Sequence, residues 1–168
     1  MTLAEGGREA GALRVIVLAD DLIWATRLVG QLRTVGAGPV RVGSIDAFAA
    51  ALALPAAGAG ADTDDGADAD VGADAARPGH AVVDLTGRTY DGLAAVRLAV
   101  AAGVRVLCVG QHDDRDIRRA ALAAGAERVV AYRALFENGH ALLAAWLGVP
   151  APAAGSLSMP ARPEVPAR

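Results

Sequence analysis

The sequence contains no lysine, so its 16 basic side chains are all arginines, which keep their proton at any physiological pH. It has a single cysteine, Cys108, which excludes an internal disulfide; its place in an apolar run predicts a buried, inert thiol. The Cys and His spacings of metal sites are absent, and so is the Gly-x-Ser-x-Gly motif of a serine nucleophile. These absences exclude zinc-finger-like proteins and hydrolases with that serine motif.

Membrane and nucleic-acid partners are also disfavoured. No basic start followed by an apolar stretch is seen, and no apolar run reaches membrane length, which predicts a cytoplasmic protein without a membrane partner. The net charge of −3 is unevenly spread, because residues 55–79 carry six aspartates against one arginine. The rest of the chain is close to neutral and has no basic stripe, so we expect no nucleic-acid partner.

Composition divides the 168 residues into one domain with three appendages. Residues 1–12 are small and polar and predict a flexible leader. Residues 55–79 consist almost entirely of Ala, Gly, Asp and Pro, which predicts a disordered acidic insert. Residues 149–168 predict a disordered Pro/Ala tail. The domain therefore spans residues 13–148, and with so few aromatics its core must be built from Ala, Val and Leu.

Five short apolar runs alternate with five helical patterns in this domain. The predicted strands comprise residues 14–19, 40–42, 80–84, 104–109 and 128–131. The predicted helix caps are Asp21, Ser44, Asp91, Asp113 or Asp114, and Asn138. The first helix has the recurring apolar positions Ile23, Trp24, Leu28, Leu32 and Val35, and is ended by Gly36 and Gly38-Pro39. Short right-handed links then predict an α/β fold with one doubly wound, flavodoxin-like parallel sheet in the order 2-1-3-4-5.

Three acids stand at the predicted strand ends: Asp20 and Asp21 after the first strand, and Asp84 at the end of the third. The first and third strands are neighbours in a 2-1-3-4-5 sheet, so the three carboxylates would share one pocket. Such a cluster needs a cation, and Mg²⁺ suits oxygen ligands. With the metal bound, Asp84 could attack a phosphoryl donor. An equal alternative is that Asp20 and Asp21 are only a loop acid and a helix cap.

The pattern of Ala19-Asp20-Asp21, Asp84 and Asp91-Gly92, with Gly110 to Glu127 as a fourth loop and helix, resembles the receiver domain of bacterial two-component response regulators. The similarity covers residues 13–148, with 55–79 as an insertion. The resemblance implies that Asp20 and Asp21 are Mg²⁺ ligands and that Asp84 is the phosphoacceptor.

Two positions depart from that family. Its hydroxyl residue after the fourth strand falls on Gly110, and its lysine after the fifth strand falls on Tyr132. Arg133 offers a cation one residue further along, and Thr86 offers a hydroxyl on a different loop. With these departures, the sequence resembles a degenerate receiver domain, or pseudo-receiver. The segments Asp21-Leu22-Ile23-Trp24 and Gly110-Gln111-His112 are similar to those of small stand-alone receiver-like bacterial proteins.

Three functions are consistent with these residues. The favoured one is a non-enzymatic, receiver-like signalling module, monomeric or homodimeric, that binds a protein partner such as a sensor kinase or a downstream effector. We expect the partner surface on the fourth and fifth strands and the last two helices, with the exposed arginines 115, 118, 119 and 133. The second is a phosphorylatable regulator that uses Asp84 and Mg²⁺. The third is a small-molecule-binding flavodoxin-like domain with His112, Trp24 and Thr86 in its pocket; a phosphate-bearing ligand is disfavoured because Asp20 and Asp21 would repel it.

Overall fold

The computed structural model describes residues 13–54, 78–111 and 113–152. The predicted leader, most of the acidic insert and most of the tail lie outside these residues, and so does His112. Among the described residues, no helix has the length and apolarity needed to cross a membrane.

Five parallel strands form one sheet, which confirms the predicted fold. The strands are β1 (Arg14–Leu18), β2 (Gly38–Val42), β3 (His80–Asp84), β4 (Arg105–Gly110) and β5 (Arg128–Ala131), in the order β2-β1-β3-β4-β5. Leu18 of β1 pairs with Val83, and Asp84 pairs with Val109 of β4. This register brings the carboxyl ends of β1, β3 and β4 to the same edge of the sheet.

Five helices cover the sheet: α1 (Leu22–Thr34), α2 (Ile45–Ala53), α3 (Gly92–Ala101), α4 (Arg115–Ala123) and α5 (Tyr132–Leu147). Four of them begin at a predicted cap, because the side chains of Asp21, Ser44, Asp91 and Asp114 each accept a hydrogen bond from a backbone N–H of the first turn.

The core lies on both faces of the sheet because successive strand residues point to opposite sides. Val15 and Val17 pack with α1 and α5, whereas Ile16 and Leu18 pack with the helices of the other face. Cys108 is buried in the second cluster, and burial raises the pKa of its thiol to about 12, so the prediction of an inert thiol is confirmed.

Two local predictions were wrong. Ile23 was expected on the apolar face of α1, but its side chain is 86% exposed. Trp24 and Leu28 instead form the buried stripe of α1. Ile23 is next to Trp24 in the helix, so its side chain points about 100° away from that of Trp24. Strand β2 begins at Gly38 instead of residue 40. Pro39 is tolerated there because β2 is an edge strand.

Helix α5 begins at Tyr132, directly after β5, so the prediction that Asn138 caps it was wrong. Asn138 instead interrupts the helix with φ −137° and ψ 29°. The Leu135 carbonyl in the turn before it accepts a hydrogen bond of 2.7 Å from the buried Gln31 side chain of α1. A Cβ on Gly139 would lie 2.4 Å from Gln31 Nε2, so glycine permits this approach of the two helices. The kink in α5 thus lies next to the point where α5 contacts α1.

Candidate functional site

The carboxyl ends of β1 and β3 place the three predicted acids around one cavity. Asp84, the last residue of β3, is only 3% exposed, whereas Asp21 is exposed at the start of α1. The cavity has a volume of about 1180 Å³. Its lining consists of Asp20, Asp21, Ile23, Trp24, Thr26, Arg27, Asp84, Thr86, Arg88, Thr89, Gln111, Tyr132 and Phe136. Trp24 and Thr86, which the sequence placed in the pocket, are therefore in it.

Asp84 is held by uncharged hydrogen-bond donors. Its Oδ1 accepts from the backbone N–H and the hydroxyl of Thr86, each at 2.9 Å, and from the hydroxyl of Tyr132. The hydroxyl oxygens of Thr86 and Tyr132 lie 2.6 Å apart. One oxygen of the buried carboxylate is thus satisfied within the chain itself, without a countercharge.

Tyr132 reaches Asp84 because α5 begins immediately after β5, which is two strands away from β3 in the sheet. The Trp24 ring packs edge-on against the Tyr132 ring at a centroid distance of 4.6 Å and fixes its orientation. Burial, followed by the hydrogen bond to Asp84, raises the pKa of Tyr132 well above its usual value. The phenol therefore remains neutral at physiological pH and brings no positive charge to Asp84.

Asp20 connects the end of β1 to the loop between β3 and α3. Its Oδ2 accepts from the backbone N–H of Arg88 at 2.6 Å and from that of Thr89 at 3.2 Å. Burial acts to raise the pKa of Asp20, but these hydrogen bonds outweigh it and hold the pKa below its usual value. Asp20 thus fixes the loop that follows the candidate phosphoacceptor.

Tyr90 is a site residue that sequence reasoning missed. Its hydroxyl lies 3.2 Å from the Leu18 carbonyl and 3.1 Å from the Asp84 carbonyl, so it bridges the ends of β1 and β3. The ring passes directly over Gly87, where a Cβ would lie 2.2 Å from Tyr90 Cζ. The available signals were a glycine three residues before an aromatic and the Asp91 cap directly after it.

Phe136 was also missed. It lies one helical turn after Tyr132, its ring is 5.5 Å from that of Trp24, and the Arg27 guanidinium stacks 3.8 Å above its centre. The four-residue spacing from Tyr132 to Phe136 was the signal, since such residues share a helix face. The predicted helix start at Asn138 concealed it.

The other predicted positions lie as follows. Gly110 is buried at the end of β4, and a Cβ there would be 3.7 Å from Leu85 Cδ1, an ordinary contact. Arg133 is 85% exposed and pairs with Glu137 at 2.7 Å, and it is not in the cavity lining. The arginines at 115, 118 and 119 are exposed on α4, as expected. His112 lies outside the described residues, so its role stays a prediction.

Each acid of the predicted Mg²⁺ site already accepts a hydrogen bond from the chain. Asp20 is bonded to a loop, Asp21 caps α1 by accepting from the Trp24 N–H, and Asp84 is bonded to Thr86 and Tyr132. Within residues 13–54, 78–111 and 113–152, no group of three or more His, Cys, Asp or Glu side chains is placed to hold a metal ion. The three acids thus share a cavity, and a Mg²⁺ ion bound there would have to share them with these donors.

The solved structures that resemble this chain include response regulators and receiver domains. A response regulator receiver protein from Burkholderia phymatum is 26% identical, with a TM-score of 0.62, over 83% of this chain and 98% of that chain. A phosphorylated cyanobacterial phytochrome response regulator is 15% identical, with a TM-score of 0.61, over 81% and 94%. The receiver domain of a sensor histidine kinase from Pseudomonas aeruginosa, with a magnesium ion coordinated in its active site cleft, is 17% identical, with a TM-score of 0.56, over 82% and 98%.

No protein-family model matches the sequence, and no curated protein matches it. The likeness therefore rests on three-dimensional structure. The chain has the fold of response regulator receiver domains.

Proposed function

We propose that this chain is a receiver-like signalling module that acts by binding a protein partner, catalyses no reaction and does not switch on phosphorylation. The observation that carries the proposal is the Tyr132 hydroxyl on Asp84, at the position where the receiver resemblance expects a lysine. The receiver fold supports the signalling role, and the details of the site support the missing switch.

The charge around Asp84 argues against a stable phosphoryl group. Phosphorylation would replace the single negative charge of the Asp84 carboxylate by a phosphoryl group of about −1.5 to −2, which receiver domains are expected to neutralise with the lysine ammonium. Tyr132 is neutral, and Arg133 faces Glu137 on the exposed side of α5. Because Asp84 Oδ1 already accepts from Thr86 and Tyr132, a phosphoryl group would have to be attached at Oδ2.

The end of β4 lacks the group that would respond. Gly110 has no hydroxyl to bond a phosphoryl oxygen, so the loop after β4 gains no contact when Asp84 is modified. A ligand shifts a conformational equilibrium only through contacts that differ between the two states. Without such contacts, we expect the same conformation with and without a phosphoryl donor.

The test is incubation with acetyl phosphate and Mg²⁺, followed by intact-mass spectrometry and by amide NMR spectra of β4 and α4. The wild type should show no Asp84-dependent change in these spectra. Asp84→Asn is the matched control, because it keeps a hydrogen-bonding group at the same position. A shift of the β4 and α4 signals in the wild type that is absent in Asp84→Asn would overturn the proposal.

Restoring the two missing groups makes the test sharper. The variant Gly110→Ser/Tyr132→Lys supplies the hydroxyl and the ammonium, and the serine Cβ would meet only ordinary contacts with Leu85. We expect this double variant to acquire a phosphoryl adduct and a spectral shift that the wild type lacks. Neither single variant should do so fully.

A second candidate function is a phosphorylatable regulator with Asp84 as acceptor and Mg²⁺ as cofactor. It is favoured by the common cavity of Asp20, Asp21 and Asp84 and by the receiver fold. In that case Mg²⁺ binding would have to release Asp20 from the loop at residues 88 and 89. An Asp84-dependent adduct in the wild type would select this candidate.

A further inference from the structure

The cavity at the carboxyl ends of β1 and β3 has an aromatic wall. Trp24, Tyr132 and Phe136 all line it, and the centroid of the Trp24 ring lies 4.6 Å from that of Tyr132 and 5.5 Å from that of Phe136. Phe136 is 46% exposed whereas Trp24 is 7% exposed, so the wall extends from the surface into the molecule. A cavity of about 1180 Å³ with such a wall has room for a small organic molecule.

Two carboxylate oxygens of the lining accept no hydrogen bond within the described residues. Asp84 and Asp21 each accept at Oδ1 only, which leaves the Oδ2 of both side chains without a donor. Asp84 is 3% exposed, yet its Oδ2 is not among the fully enclosed atoms that lack a partner, so this oxygen keeps an open surface in the cavity lining. Buried polar atoms are generally hydrogen-bonded, and a donor for Asp84 Oδ2 can reach it through the cavity.

The charges of the lining favour a positively charged molecule. The lining contains three acids and two arginines: Asp20, Asp21, Asp84, Arg27 and Arg88. Within the described residues, none of these acids forms a salt bridge. Arg27 instead stacks 3.8 Å above the Phe136 ring. A cation that enters the cavity therefore meets carboxylates that no arginine of the described chain already neutralises.

The free oxygens and the wall together define the chemistry of this cation. An ammonium or amidinium group carries several N–H donors, each of which needs a single acceptor, and one oxygen is free on Asp84 and one on Asp21. A flat aromatic body bonded to that group would pack against the rings of the wall. The Arg27 guanidinium over Phe136 shows that a planar cation fits against one of these rings.

We propose that this cavity binds a small aromatic amine or amidine, with its ring against Trp24, Tyr132 and Phe136 and its charged N–H donors on the Oδ2 atoms of Asp84 and Asp21. The inference goes beyond the proposed function and does not depend on it, since the ligand is a small molecule and not the protein partner. It gives the module a chemical input that needs no phosphoryl group on Asp84.

The experiment titrates the full chain with benzamidine in a buffer without divalent ions and follows the amide and indole NMR signals. Benzamide and benzoate are the matched controls, because they share the flat shape of benzamidine but are neutral and negatively charged. Benzamidine should bind saturably and about tenfold more tightly than benzamide, and benzoate should not bind. The indole signal of Trp24 should shift, whereas that of Trp146, which packs against His80 at the amino end of β3, should not.

Three variants locate the site, and the amide spectrum of each shows that it is folded. Asp84→Asn should weaken benzamidine binding about tenfold, because it removes the charge of the buried acid. Asp21→Asn should weaken binding several-fold, since asparagine keeps the helix cap and loses only the charge. Phe136→Ala should also weaken it several-fold by removing part of the wall. Asp46→Asn, at an exposed acid in the first turn of α2 outside the lining, is the matched charge control and should change nothing.

Any of four results would overturn the proposal. The first two are the absence of saturable benzamidine binding and equal binding of benzamide. The third is binding that is insensitive to both Asp21→Asn and Phe136→Ala. The fourth is a loss of benzamidine affinity of more than about tenfold in millimolar Mg²⁺, which would make the acids a metal site instead. None of these outcomes depends on the response to acetyl phosphate, so the two proposals can fail separately.

Discussion

Strand β3 begins with His80 and ends with Asp84, and both side chains are almost fully buried, at 7% and 3% exposure. At the carboxyl end, Asp84 Oδ1 is held by hydroxyl and N–H donors from Thr86 and Tyr132. The strand is only five residues long, so the two titratable groups stand at opposite edges of the same sheet.

At the amino end, His80 is surrounded differently. Its Nε2 lies 3.1 Å from Arg105 Nη1, its Nδ1 has no partner among the described residues, and Trp146 packs edge-on at 5.1 Å. Burial, and then the neighbouring Arg105 charge, lower the pKa of His80. Glu127 accepts from Arg105 at 2.8 Å and from Trp146 Nε1 at 2.9 Å.

The two edges show two ways in which one strand buries an ionisable group. The amino edge keeps its imidazole neutral beside a fixed cation, whereas the carboxyl edge surrounds its carboxylate with neutral donors. Burying a group without a partner costs free energy, so each edge depends on specific neighbours. The carboxyl edge adjoins the cavity lined by Asp84, which is why we assign function to Asp84 and a structural role to His80.

The largest effect on stability is expected from Gly87→Ala, which adds a side chain to the backbone of the loop at the carboxyl edge. The new Cβ would lie 2.2 Å from the Tyr90 ring, which is fixed by its contacts with the Leu18 and Asp84 carbonyls. We expect the free energy of unfolding to fall by about 2–3 kcal/mol, measured by urea denaturation. Gly30→Ala is the matched control: it meets nothing within 4 Å and should raise stability by about 0.5–1 kcal/mol. Equal stability of the wild type and Gly87→Ala would show that Tyr90 is not fixed.

A smaller loss is expected from Tyr132→Phe, which removes one donor from Asp84 and leaves Thr86 in place. The free energy of unfolding should fall by about 1–2 kcal/mol, because a buried carboxylate oxygen loses a hydrogen bond. A double-mutant cycle with Asp84→Ala, which removes the acceptor, measures the coupling of the two side chains by urea denaturation. A coupling of zero would contradict the contact and, with it, the carboxyl-edge side of the comparison.

The amino edge is tested by pH. The pKa of His80 is lower in the folded chain than the value of about 6.5 in the unfolded chain, so the unfolded chain binds the proton more readily. His80 should therefore leave the free energy of unfolding unchanged well above that value. As the pH decreases below it towards 5.5, the free energy of unfolding should fall. The facing charges are Arg105, which does not titrate there, and Glu127, whose pKa is lowered by its hydrogen bond from Arg105 in spite of burial.

His80→Gln is the control for this pH dependence, because glutamine keeps a polar side chain that does not titrate. The stability of this variant should vary less between pH 7.5 and 5.5 than that of the wild type. His112 and His140 are present in both proteins, so their contributions cancel in the difference. A pH dependence that is identical in the two proteins would remove His80 from the explanation.

The fold was predictable from the sequence because its signals are local. The β-branched run at Val15–Val17 and the aspartates that cap α1, α3 and α4 each depend on a few adjacent residues. Strand order followed from short right-handed links between them. The helix start predicted at Asn138 lies six residues after the observed start, in a segment where Gln31 of α1 donates to the Leu135 carbonyl, and that contact is not visible in the sequence.

The site was predictable in its acids and unpredictable in its donors. Asp20, Asp21 and Asp84 stand at strand ends, and the sheet order alone brings them together. Tyr90 and Tyr132 reach them from other segments, at distances that depend on ring rotation and on where a helix begins. The sequence showed that Tyr132 replaces a lysine; only coordinates showed its hydroxyl on Asp84.

The smallest effect is expected from Arg133→Gln. This variant tests whether a cation lies beside Asp84 at the carboxyl edge, as Arg105 lies beside His80 at the amino edge. Arg133 is exposed, bonds only Glu137 among the described residues and is absent from the cavity lining, so its loss should change the free energy of unfolding by no measurable amount. It should also leave the response to acetyl phosphate unchanged, both in the wild type and in Gly110→Ser/Tyr132→Lys. Urea denaturation and intact-mass spectrometry check the two statements. If Arg133→Gln removed an adduct on Asp84, the arginine would have to turn away from Glu137 and reach the cavity, and the carboxyl edge would then possess the countercharge that Tyr132 does not supply.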